Sequence, residues 1–198
     1  MNRPLYESVK ALLIGIGRTV FRVRVTGRNL VPKDGPLIVA CNHVSYLDPP
    51  FMGVFLPRPI SYMAKASLFQ IPVLGPLIRG LGAYPVERDG NPTSAIKRSV
   101  EVLRAGGCVG IFPEGTRNTA GDVQARQGVA FLASLSKAPV VPAAIVGGDR
   151  AKQLHQIKVA FGAPIRLPAD RKATRDELAK FTDEVMDAIA ALKAQLEG

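Results

Sequence analysis

The segment Asn42-His43-Val44-Ser45-Tyr46-Leu47-Asp48 sets an imidazole five positions before a carboxylate. Five steps along a helix rotate by about 140°, so the two side chains diverge on a helix and can meet where a strand turns into one. A carboxylate beside an imidazole fixes its tautomer and stabilises its cation. The free ring nitrogen can then take a proton from a hydroxyl. The same pair would serve equally as a hydrogen-bonded structural histidine, and the two residues alone leave both readings open.

Three further clusters follow apolar runs. Phe112-Pro113-Glu114-Gly115-Thr116-Arg117 comes just after Cys108–Ile111. Gly115 permits a tight turn close to a ligand, and Arg117 can grip a phosphate with two parallel hydrogen bonds. Glu114 could accept from a substrate hydroxyl or hold a neighbouring cation. Taken alone, the cluster reads as well as a turn with a salt bridge. Gly82-Ala83-Tyr84-Pro85-Val86-Glu87-Arg88 offers Arg88 as a second phosphate ligand. Val140–Ile145 carries no reactive group. Its Pro142 supplies no N–H, which suits a sheet edge or an irregularity in the ladder.

Other reactive side chains are few. Cys41 stands two residues before His43 and could act as a nucleophile, although a cysteine ending an apolar strand usually serves as a small hydrophobe. His155 is expected at the surface. Lys65 could bind phosphate or simply be solvated. With two cysteines and two histidines, a disulfide scaffold and a four-cysteine zinc site are excluded, and no metal centre is expected.

The elements that must hold these groups are legible from periodicity. Leu5, Val9, Leu12, Leu13, Ile16 and Val20 mark an amphipathic helix over 3–21. Such a helix could lie in a membrane interface or dock on the core. It lacks the cleavage pattern of a secretory signal, and no stretch of about 18 apolar residues is present to span a bilayer. Strands are predicted over 22–26, 37–41, 60–63, 83–86, 108–112, 140–145 and 157–161. Helices are predicted over 50–55, 67–81, 92–104, 127–135 and 174–196. Thr174 and Glu177 form a capping box for the last of them. This alternation predicts a single α/β domain with a central, largely parallel mixed sheet flanked by helices, plus the amino-terminal amphipathic helix. The expected division is 1–30 for that helix and the first strand, and 31–198 for one structural unit. At 198 residues the chain is long enough to bury a core without staples.

The net charge of +10 seeks anions. Residues 1–33 carry seven basic groups against Glu7 alone, which suits an anionic membrane surface. Nucleic acid is a poor fit. There is no tryptophan, aromatics are 6% of the chain, and no zinc-finger or basic-zipper spacing occurs.

Together, the four clusters resemble the glycerophospholipid acyltransferase family, of the lysophosphatidic-acid acyltransferase type. The family's N-H-x4-D block is matched by Asn42, His43 and Asp48. Its G-x-x-F-x-x-R block is matched at Gly82 and Arg88, with Tyr84 in place of the usual aromatic. The F-P-E-G-T-R block is complete from Phe112 to Arg117, and the apolar block around a proline is met at Pro142. The resemblance runs from about Leu37 to Pro164. It departs at Asn118, where a serine is common, and at Ala125-Arg126-Gln127-Gly128, where Arg126 keeps the charge of a lysine-rich segment and Ala125 removes an aromatic.

The resemblance implies transfer of an acyl group from acyl-CoA or acyl carrier protein to the sn-2 hydroxyl of lysophosphatidic acid, without a bound cofactor or a covalent acyl-enzyme. Glycerol 3-phosphate or another lysolipid is the alternative acceptor, and a non-catalytic lipid-binding protein the alternative class. His43 would be the general base and Asp48 its partner. Arg88, Glu114, Gly115, Thr116 and Arg117 would hold the glycerol phosphate, with Lys65, Arg126 and Pro142 as further contacts. Phe51, Met52, Val54, Phe55, Phe69, Ile71, Val73, Leu74, Leu77 and Leu81 would line an acyl groove, face the bilayer or fill the core. The implied location is the cytoplasmic face of a bacterial membrane, held peripherally through 3–21 and 67–81.

Overall fold

The computed structural model describes residues 1–86, 93–113, 123–168 and 173–198. It is a three-layer α/β/α arrangement around a seven-stranded sheet. The strands are β1 (Arg24–Thr26), β2 (Leu37–Cys41), β3 (Ser61–Lys65), β4 (Tyr84–Val86), β5 (Cys108–Ile111), β6 (Val140–Val146) and β7 (Lys158–Phe161). Their order is β1-β7-β6-β2-β5-β3-β4. Every pairing is parallel except β6 with β7. β1 joins the sheet as an edge strand on β7.

The helices are α1 (Arg3–Thr19), α2 (Asp48–Phe55), α3 (Leu74–Gly80), α4 (Thr93–Arg104), α5 (Val123–Ser136) and α6 (Arg175–Glu197). The apolar run of β2 is buried on both faces because side chains alternate along a strand. Leu37, Val39 and Cys41 pack with Phe51, Met52, Val54 and Phe55 of α2. Ile38 and Ala40 pack on the other side with Leu103, Val129, Leu132, Phe181 and Val185 of α4, α5 and α6. All four acyl-groove candidates on α2 are therefore core.

One sequence expectation changes, and one open alternative is resolved. The helix expected over 67–81 is broken into a 3-10 segment, Ala66–Gln70, and α3. Pro72 is the cause, since the residue before a proline is driven out of the helical region, and Ile71 is extended at φ −73°, ψ 124°. Val73 then turns the chain at φ 67°, and Leu74 N donates to Pro72 O at 2.8 Å, closing a γ-turn. Pro142 lies in an interior strand, between β2 and β7. Its carbonyl faces β7, accepting from Gly162 N at 2.8 Å. The ladder with β7 begins only at Ala143↔Phe161, and the bridge Val140↔Ile165 is out of register with it by one residue. The missing N–H thus falls in a bulge, the irregularity a proline requires.

The chain leaves β2 through α2 on one face of the sheet and leaves β5 through α5 on the other. Adjacent parallel strands whose connections depart on opposite faces create a crevice beyond their carboxyl ends. β2 and β5 are such a pair, with Ala40 opposite Ile111.

Candidate active site

His43 and Asp48 lie at the carboxyl end of β2, where the strand gives way to α2. The chain turns through Val44–Leu47, and Asp48 becomes the first residue of α2. Its Oδ2 accepts three hydrogen bonds. Val44 N donates at 2.7 Å, Ser45 N at 2.6 Å, and His43 Nδ1 lies at 3.0 Å. Asp48 is completely buried, whereas His43 keeps 13% of its side chain exposed. A carboxylate held by two backbone N–H groups can only accept, so Nδ1 carries the proton in this contact and Nε2 is left as the basic nitrogen.

Phe112, the first residue after β5, stacks on the imidazole with ring centroids 4.3 Å apart and planes at 26°. Tyr62 of β3 continues the column, 6.0 Å from Phe112 with its ring nearly parallel. The stack follows from sheet register, since Ala40 faces Ile111 and Tyr62 faces Gly110. A stacking role for Phe112 is not readable from its motif. The available signal is an aromatic that immediately follows a buried strand.

Asn42 is also buried. Its Nδ2 donates to Ile145 O and its Oδ1 accepts from Ile145 N, both at 2.9 Å. Beside it a cavity of about 620 Å³ opens between the end of β6 and the last turns of α6, lined among others by Asn42, Val44, Arg150, Lys158 and Lys193. Lys158 Nζ donates to Leu196 O at 2.6 Å, and Lys193 pairs with Glu197 at 3.7 Å, so these two cations already hold protein partners.

The other sequence candidates separate by location. Lys65 is exposed at the carboxyl end of β3, next to Val86 of β4. Pro142 is buried within β6 and packs near Gly162, below the edge that carries His43. Arg88, Glu114, Gly115, Thr116 and Arg117 lie outside the described residues, as does the Arg126 side chain. The strands leading to these residues, β4 and β5, end on the same edge as β2. Cys41 is fully buried and its Sγ donates to Asn42 Oδ1 at 3.6 Å, which removes it as a nucleophile open to substrate. His155 is exposed, on the wall of the cavity.

This geometry can accept a proton from a hydroxyl at one ring nitrogen while compensating the resulting imidazolium at the other. The Acyltransferase family model matches residues 22–146. The 1-acyl-sn-glycerol-3-phosphate acyltransferase of Bacillus subtilis (strain 168) is 35% identical over 181 residues, spanning 88% of this chain and 90% of the relative. The Streptococcus pneumoniae (strain ATCC BAA-255 / R6) protein of the same name is 29% identical over 163 residues, covering 80% of this chain and 58% of that one. The crystal structure of the 1-acyl-sn-glycerophosphate (LPA) acyltransferase from Thermotoga maritima matches 94% of this chain and 81% of its own, with a TM-score of 0.68 at 24% identity. That likeness establishes the fold.

Proposed function

Since the chain belongs to the acyltransferase family, we propose that it transfers a fatty acyl group from acyl-CoA or acyl carrier protein to the sn-2 hydroxyl of lysophosphatidic acid, forming phosphatidic acid. The observation that carries this reading is the His43 Nδ1–Asp48 Oδ2 contact of 3.0 Å at the crevice between β2 and β5. His43 Nε2 takes the hydroxyl proton as the oxygen attacks the thioester carbonyl carbon. The tetrahedral intermediate collapses by breaking the C–S bond, and the thiolate leaves with the proton from the imidazolium. Asp48 stabilises that imidazolium through Nδ1. Arg88, Glu114, Gly115, Thr116 and Arg117 are assigned to the acceptor phosphate, with Lys65 and Arg126 as supporting cations. The names and coverage of the relatives support the acceptor.

No helix among the described residues is long and apolar enough to cross a membrane. The proposed location is the cytoplasmic face of a membrane, held peripherally through α1. Leu12 is exposed on α1, and Arg3, Lys10 and Arg18 lie on the same helix.

The test is acyl transfer in detergent from radiolabelled palmitoyl-CoA and palmitoyl-acyl carrier protein to lysophosphatidate. Wild type is expected to yield phosphatidate. His43→Ala is expected to lower turnover by roughly 10²–10⁴-fold, the usual contribution of a general base, and Asp48→Asn to lower it in the same direction. No phosphatidate with either donor would overturn the assignment.

A further inference from the structure

The carboxyl end of β6 carries no reactive side chain, yet it touches both members of the proton-transfer pair through their immediate surroundings. Asn42, the residue before His43, does not continue the backbone ladder with its side chain in solvent. It is 3% exposed, and its amide grips both polar atoms of the Ile145 peptide backbone at 2.9 Å. A primary amide presents one donor and one acceptor side by side, so it imitates a further strand residue. β2 is thereby tied to β6 at the last position before the chain turns.

Three residues beyond Ile145, Gly148 meets Asp48 from the other side. A Cβ on Gly148 would lie 2.6 Å from Asp48 Oδ1 and 3.1 Å from Ser45 Cβ. Oδ1 is buried and has no hydrogen-bond partner among the described residues. It occupies the space that the missing Cβ leaves, while Oδ2 takes His43, Val44 and Ser45.

We infer that Ile145–Gly148 is a template for the pair, with Asn42 and Gly148 as positioning residues: Asn42 sets where His43 leaves β2, and Gly148 sets how far the Asp48 carboxylate is pushed toward the ring. The inference rests on the acyl-transfer reading for its kinetic arm alone. The chain has two histidines, His43 and His155, so imidazole nitrogen NMR in detergent reads His43 directly, with His155→Gln supplying the assignment.

In wild type the neutral His43 ring is expected to hold its proton on Nδ1, facing Asp48. In Asn42→Ala and Gly148→Ala the population with the proton on Nε2 should rise. The turnover number should fall at least tenfold, with KM for lysophosphatidate within twofold of wild type. Should Asn42→Ala not fold, Asn42→Ser keeps a neutral polar group there without the paired grip on Ile145. Val100→Ala, a buried change in α4 against the opposite face of the sheet from α2, is the control. It should lower the melting temperature without altering the tautomer. An unchanged tautomer in folded variants at both positions would overturn the inference. If wild type transfers no acyl group while the tautomer shifts as stated, the template stands and the acyl-transfer reading fails.

Discussion

At the scale of single residues, the site depends on close approaches that leave little room for side-chain atoms. Gly110 in β5 lies under Tyr62, where an added Cβ would overlap the ring at Cε1. Tyr62 is partly buried and forms the far end of the stack over Phe112 and His43. Gly110→Ala must therefore move the ring or the strand. Overpacking of this kind costs about 1–3 kcal/mol, and for a chain of this size each kcal/mol lowers the melting temperature by roughly 2–4 °C. Thermal unfolding followed by circular dichroism should show the loss. Acyl transfer should fall too, since the column behind His43 is displaced. An unchanged melting temperature would mean that Tyr62 does not set the stack.

At the scale of elements, two termini make opposite predictions. Thr174 caps α6, with its hydroxyl accepting from Glu177 N at 3.3 Å and Glu177 Oε2 accepting from Thr174 N at 2.8 Å. Thr174→Ala removes one of these reciprocal bonds at a solvent-exposed helix start and should destabilise by about 1 kcal/mol, read as a lower denaturant midpoint. Val73, in contrast, holds a branched side chain at φ 67° while 82% exposed. It gains little burial there, and a γ-turn with positive φ is a sparsely populated conformation that costs an L-residue about 1–3 kcal/mol. Val73→Gly should raise stability by about 1 kcal/mol after glycine's greater unfolded-state entropy is counted. Loss of stability on that change would show that the valine side chain contributes packing.

At the scale of the whole molecule, charge and buried phenols govern the response to solution conditions. The surplus of basic groups in residues 1–33 should draw the protein to vesicles containing anionic phospholipid, each lysine or arginine near the surface contributing about 1 kcal/mol. Raising salt from about 0.01 M to 1 M shortens the screening length from roughly 30 Å to 3 Å. Sedimentation with vesicles should fall steeply over that range, and salt-independent binding would point to apolar insertion. Burial pushes the Tyr6 and Tyr84 phenols and the Cys108 thiol each up to about 12. These groups hold their protons more tightly folded than unfolded. Below their ordinary values of 9.0–10.0 they leave stability unchanged. As pH rises through those values toward 12, the unfolded chain ionises first and stability falls. The melting temperature should accordingly decline from about pH 9 upward.

Sequence alone determined the parts that obey local rules. β2 is found at Leu37–Cys41 as its apolar run predicts, and α6 starts at its Thr174–Glu177 box. The pairing of His43 with Asp48 is likewise legible, because a strand-to-helix turn is short and leaves few ways to place a histidine and a carboxylate five residues apart. The break at Pro72 needed no tertiary contact either, and the apolar periodicity of 67–81 obscured it. The interior place of Pro142, the stacking of Phe112 on His43 and the grip of Asn42 on Ile145 were decided by tertiary structure alone. Each depends on which strand lies beside which, and the neighbours of β2 are β5 and β6, more than sixty residues away in the chain. Periodicity reports which face of an element is apolar. It carries no information on the partner, because any apolar strand of similar length satisfies the same ladder.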